Sequence, residues 1–143
     1  MYLRDPRHVL TKPPVLAGAA AQALALTTYL SAVAYEPPGT VMLLGLVGGS
    51  GAGLLVGRPQ DGWIDGALAA PLGFLVWGVG HVGQGTYLAW SAGTDALFYH
   101  HLIFATSLGL WALPAYLVLG AVAAPIVAYP TRAARRRVRR AGS

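Results

Sequence analysis

Hydrophobic residues in this chain fall in four long runs separated by short polar turns. The first extends from about Val15 to Tyr35, and its 21 residues at 1.5 Å each give about 31 Å, close to the ~30 Å hydrocarbon thickness of a bilayer. Pro13 and Pro14 suit its first positions, because proline lacks an N–H that would have no partner there. Glu36-Pro37-Pro38-Gly39 stops it, and a second helix follows at once as far as Gly57. Arg58 to Asp65 reads as the next loop, with Asp65 set to cap a third helix from about Gly66 to Trp90. Ser91 to Asp95 turns the chain back, Asp95 again standing at a cap position. The last run, Ala96 to Tyr129, would be roughly 51 Å long as one straight helix, too long for the bilayer. Either it tilts and kinks at Pro114 and Pro125, or residues 95–101 form an interfacial turn and the span starts near Leu102; a single kinked helix is expected, ending at Pro130. The pattern therefore predicts an all-α, integral membrane four-helix bundle with spans at 15–35, 40–57, 66–90 and 96–129. It forms one transmembrane domain between an N-terminal segment, 1–14, and a basic tail, 130–143.

The second run is the most regular. From Val41 to Gly57 it carries glycine at 45, 49, 53 and 57, a glycine-zipper spacing that lies along one stripe of a helix and opens a groove for another backbone. The first helix offers a matching flat face in Ala19, Ala23, Thr27 and Ser31. The stripe is expected to receive that face, or the same helix of a second copy.

Composition agrees with the pattern. The chain is 55% hydrophobic and 10% charged, against about 25% charged in a soluble domain, and its mean hydropathy is +0.54. One lysine against nine arginines, with many alanines and glycines, points to a prokaryotic source. The absence of cysteine excludes disulfides, thiolate metal sites, thioether-linked haem and cysteine nucleophiles. Charge adds orientation: all ten basic residues lie before residue 13, at Arg58, or in the tail, while the two other turns hold only Glu36 and Asp95. By the positive-inside bias both termini are cytoplasmic, in a plasma membrane; Tyr35, Tyr87, Trp90 and Tyr99 then mark the outer boundary and Trp63 and Tyr129 the inner one. The basic start, the apolar run and Ala32-Val33-Ala34 also resemble a secretory signal peptide, so cleavage within residues 1–34 stays open; the length of the run and its small-residue stripe favour a retained helix. Arg132, Arg135, Arg136, Arg137, Arg139 and Arg140 adjoin a span and meet anionic headgroups, not nucleic acid. The expected partners are the bilayer and, through the glycine stripe, a second copy or a larger membrane complex.

Few polar residues interrupt the spans. His81 lies near the middle of the third, where an ionisable side chain marks a functional site unless a carbonyl or Gln22 simply satisfies it. His100 and His101 fall within roughly 6 Å of its depth, with Gln84 and Asp95 nearby. This group reads as the polar path of a small channel or transporter, or as a metal or haem site; the alternative leaves Tyr99, His100 and His101 at headgroup level. Lys12 lies outside every span, so a retinal Schiff base has no lysine. No GxSxG, HExxH or phosphate-loop pattern occurs, and no span buries a carboxylate pair. The expectation is a non-enzymatic packing, assembly or accessory subunit that requires no cofactor.

The segment Gly45 to Gly73, GLVGGSGAGLLVGRPQDGWIDGALAAPLG, resembles small four-span membrane proteins of haloarchaea, which pair a glycine-rich helix, a short Arg/Asp-Gly loop and an Ala/Gly-rich helix. The resemblance covers a fifth of the chain and implies a plasma-membrane location without an activity. His81, His100 and His101 lie outside the matching segment.

Overall fold

In the computed structural model, residues 9–32 and 38–141 are described. They form α1 (Pro13–Ala32), α2 (Pro38–Leu43), α3 (Gly45–Leu55), α4 (Pro59–Ala92) and α5 (Ala96–Ala141), with no strand among the described residues. Three stretches are long and apolar enough to cross a membrane: Pro13–Ala32, Gln60–Ala92 and Ala96–Val138. The fourth apolar helix, Gly39–Leu55, is shorter. The end of the first span beyond Ala32, the Glu36 turn and the signal-peptide-like tripeptide beyond its first alanine lie outside the described residues.

Two boundaries differ from the sequence reading, the start of α4 and the end of α5. The 58–65 loop is helical: Arg58 is extended (φ −124°, ψ 120°), Pro59 opens α4 and Asp61 sits in its first turn. Proline at the first position and an acidic first turn are helix-start signals in their own right, and polar residues there need no loop where the helix leaves the apolar zone. Asp65 consequently lies inside α4 and caps nothing; it is buried and accepts a 2.9 Å hydrogen bond from Lys12 Nζ. At the far end α5 runs through Pro114, Pro125 and Pro130 to Ala141 as one helix, so neither an interfacial turn over 95–101 nor a stop at Pro130 occurs. Each proline removes one N–H, but the alanines and arginines that follow are strong helix formers. The Thr131 hydroxyl donates to the carbonyls of Val127 and Ala128 beside the last of them. Between α4 and α5, Gly93 takes the left-handed conformation (φ 66°), and the Thr94 amide bonds back to the Ala89 carbonyl. Asp95 gives its backbone carbonyl to Tyr99, and the side chain that accepts from Ala96 is that of Thr94, at 3.4 Å.

Between α2 and α3 the chain keeps its direction. Leu44 stays in the helical region (φ −60°, ψ −20°), while Leu44 N bonds Val41 O and Val47 N bonds Leu44 O, a tightening to three-residue spacing. Neighbouring helices hold both sides of this point. The Tyr116 hydroxyl donates to Val41 O at 2.8 Å, and Gln22 Oε1 accepts from Gly48 N at 2.9 Å. With the Leu44 carbonyl taken by Val47 N, the Gly48 amide turns to the Gln22 side chain.

Helix α3 packs on all three long helices. Gly45 lies against Tyr116, Gly49 against Gly120 and Ala123, and Gly53 against the Ala124 carbonyl and Val127, so the stripe faces α5. This corrects the expectation that it receives the first helix. Helix α1 meets the adjoining face instead, Gly18 and Ala21 lying beside Gly51, while Gly48 abuts Ala70 of α4. Gly57 follows the helix; a Cβ added to it would meet nothing within 4 Å, and it does not join the stripe. Helices α4 and α5 cross where Gly66 and Gly120 each face the other's carbonyl. The half of the bundle that contains Lys12, Leu55 and Pro59, here called the base, is thus joined backbone to backbone. Above it Leu26, Val41, Phe74, Trp77, Ala112 and Tyr116 form a buried cluster.

Candidate functional site

Above this cluster lies a cavity of about 530 Å³ between α1 and α4, closed on one side by His101 of α5. Trp77, His81 and Gln84 line it from α4, where their spacing of four and three residues puts them on one stripe. The His81 ring stacks on Trp77 (centroids 4.9 Å, planes 20° apart) and lies 4.5 Å from the His101 ring and 5.4 Å from Phe104. Gly85, one turn beyond His81, makes this approach possible: a Cβ there would sit 2.6 Å from that of His101.

His101 Nδ1 lies 2.8 Å from Leu97 O. A carbonyl only accepts, so Nδ1 carries the hydrogen and neutral His101 presents Nε2 as an acceptor. Helix α1 contributes Thr27 and Ser31, whose hydroxyls donate to Ala23 O (2.9 Å) and Thr27 O (2.6 Å) and keep their oxygens as acceptors. The cavity thus combines an aromatic wall, two imidazoles, an amide and two hydroxyls, and among the described residues no carboxylate, lysine or arginine lines it.

His81, Gln84 and His101 are therefore neighbours around one space. His100 meets His101 edge-on at 5.7 Å without lining the cavity, and Asp95 stands in the turn that precedes α5. Gln22 lies a layer below, fully buried, with Oε1 on Gly48 and Nε2 without a partner; it does not serve His81. Among the described residues no three His, Cys, Asp or Glu side chains converge on a point that could hold a metal ion. Two rings with centroids 4.5 Å apart also leave no gap for a porphyrin between them. Sequence reasoning missed Trp77, although its position four residues before His81 signals the shared stripe, and it assigned Thr27 and Ser31 to packing.

A second groove of about 630 Å³, between α4 and α5, is lined by apolar residues such as Leu75, Val79, Gly109 and Leu110, with Thr106 as its polar residue. At the base, Arg135 Nη2 donates to Leu54 O at 2.8 Å and so caps the C-terminus of α3. Arg132 and Arg136 instead flank a small cleft with Tyr129 and Ala133, and Arg137 is exposed. The side chains of Arg139 and Arg140, like Arg4 and Arg7, lie outside the described residues. Compared with protein-family models, curated proteins and solved structures, the chain matches none.

Proposed function

We propose that this is a plasma-membrane protein of four spans with both termini cytoplasmic, in which a rigid, glycine-packed inner half supports an outer cavity that binds a small uncharged ligand. It acts as a binding or accessory subunit and not as a conduit. The observation that carries this reading is the contrast along the bundle axis. Polar side chains gather around about 530 Å³ of space in one half, while in the other Gly18, Gly48, Gly49, Gly53, Gly66 and Gly120 lie too close to neighbouring atoms to admit even a methyl group. A polar path that ends on such packing has no exit at the base, which favours binding over transport. An uncharged ligand fits a lining whose described residues carry no fixed charge, since burying an unpaired charge in apolar surroundings is costly.

Several features support the membrane reading. Trp63 and Trp90, 55% and 81% exposed, stand about 40 Å apart along α4, near the 40–45 Å of a bilayer with its headgroups. Large exposed apolar side chains, among them Val79, Leu110 and Trp111, lie between such belts. The likeness to haloarchaeal four-span proteins belongs to the same proposal.

Cysteine labelling in sealed cells tests it, because the chain has no cysteine of its own. Ser31→Cys and Gln84→Cys should react with a membrane-impermeant reagent from outside, and Ala69→Cys from neither side. Labelling of Ser31→Cys only after lysis would overturn the orientation. Labelling of Ala69→Cys from the cytoplasm would replace the binding cavity with a through-path.

A further inference from the structure

The arginine-rich end of α5 divides into two kinds of residue. Arg135 is engaged within the fold through Leu54 O. Arg132 and Arg136, one turn apart, share one face with Tyr129 and Ala133, and together these four line a cleft of about 250 Å³. Among the described residues neither of the two guanidinium groups has an ion-pair partner; the salt bridge at this end joins Lys12 to Asp65.

We infer that Tyr129, Arg132 and Arg136 form a discrete binding site for the phosphate of one anionic phospholipid. Depth fits first. Tyr129 closes the apolar run, and Arg132 and Arg136 follow it by about 4.5 and 10.5 Å along the axis. The headgroup layer takes roughly 5–8 Å on each side of the hydrocarbon, and helical side chains lean toward the N-terminus, here toward the membrane. Chemistry fits next. Two arginine forks present parallel N–H donors to phosphate oxygens, the geometry in which a guanidinium exceeds an ammonium. Shape completes the argument: Ala133 between the arginines leaves room for the headgroup, and the 69% exposed Tyr129 ring offers its hydroxyl at the boundary. The same donors would accept free phosphate, but a cleft adjoining the last apolar turn favours a ligand whose tails lie in the bilayer. The site does not depend on the cavity at the other end.

Native mass spectrometry of the full chain released from nanodiscs of mixed phosphatidylglycerol and phosphatidylcholine tests this. The wild type should retain one phosphatidylglycerol in preference. The R132A/R136A variant should lose that preference about 30-fold, the factor that corresponds to about 1 kcal/mol per basic residue. The charge-preserving R132K/R136K variant should lose about fivefold, because ammonium groups supply charge without the fork. R137A serves as the control that should keep most of the preference. Wild-type retention in R132K/R136K, or a loss in R137A equal to that in R132A/R136A, would overturn the site in favour of diffuse surface charge. Displacement of the lipid by inorganic phosphate at a concentration equal to that of the lipid would overturn the lipid assignment. A protein that remains in the nanodisc while losing the preference separates this failure from failure of the membrane reading.

Discussion

Among the described residues, Asp65 and Gln22 are buried polar side chains, and each is answered by a single group on another element. Neither partnership was legible in the sequence. Asp65 stands where a cap belongs, and only the approach of the two chain segments at the base reveals Lys12 as its cation. Gln22 looked like a partner for His81, yet the amide it serves exists because the helix tightens at Leu44, a feature that no propensity announces. The ion pair makes an asymmetric prediction. Lys12→Met leaves a carboxylate in a site where the Asp65 side chain is 5% exposed, which should cost about 3 kcal/mol, the lower end of the range for a broken buried pair because Lys12 is itself part-exposed. Asp65→Asn leaves a neutral amide and a lysine that can extend to water, and should cost about 1 kcal/mol. Thermal unfolding in one detergent compares them; equal losses would mean that Asp65 is better solvated than its burial indicates.

The helices themselves were largely legible, because apolar length and proline punctuation report them directly. Their partners were not. A repeat of glycine every four residues identifies a face, but Gly48 and Gly51 open two further faces of the same helix, and no local signal ranks the three. The stripe faces α5, where Gly49 meets the Gly120 backbone and Gly53 the Ala124 carbonyl. Backbone cannot rotate aside as a side chain can. Gly49→Ala would place a Cβ 2.5 Å from Gly120 O and 2.7 Å from its Cα, and should cost about 3 kcal/mol. Gly57→Ala, in open space, should change stability by less than about 0.5 kcal/mol. Denaturation midpoints of the two variants settle this, and a mild effect at both positions would show that α3 and α5 do not approach so closely. The boundaries of α4 and α5 carry a related lesson: polarity marks where a chain leaves the apolar layer, whereas the hydrogen-bond ladder continues wherever proline and alanine permit it.

Taken together, the helices make a bundle whose glycine surface is already used within one chain. Self-association through that surface, one of the expectations from sequence, would require α5 to move away from α3. The arrangement also bears on whether residues 1–34 are retained. Helix α1 supplies buried Val15, Gln22 and Leu26 as well as the Thr27 and Ser31 wall of the cavity, so its removal would open the packed base and the cavity together. A single cross-link addresses both questions. A Cβ built at Gly51 lies 3.2 Å from that of Ala21, close to the 3.5–4.5 Å that a disulfide spans, and neither residue faces α5. The Ala21→Cys/Gly51→Cys variant, oxidised in native membranes, should therefore run as a faster-migrating monomer on a non-reducing gel. A covalent dimer would mean that α3 meets the α1 of another copy. A free cysteine at 51 on a shortened chain would mean that α1 has been cleaved away, and the cavity would then lack its α1 wall.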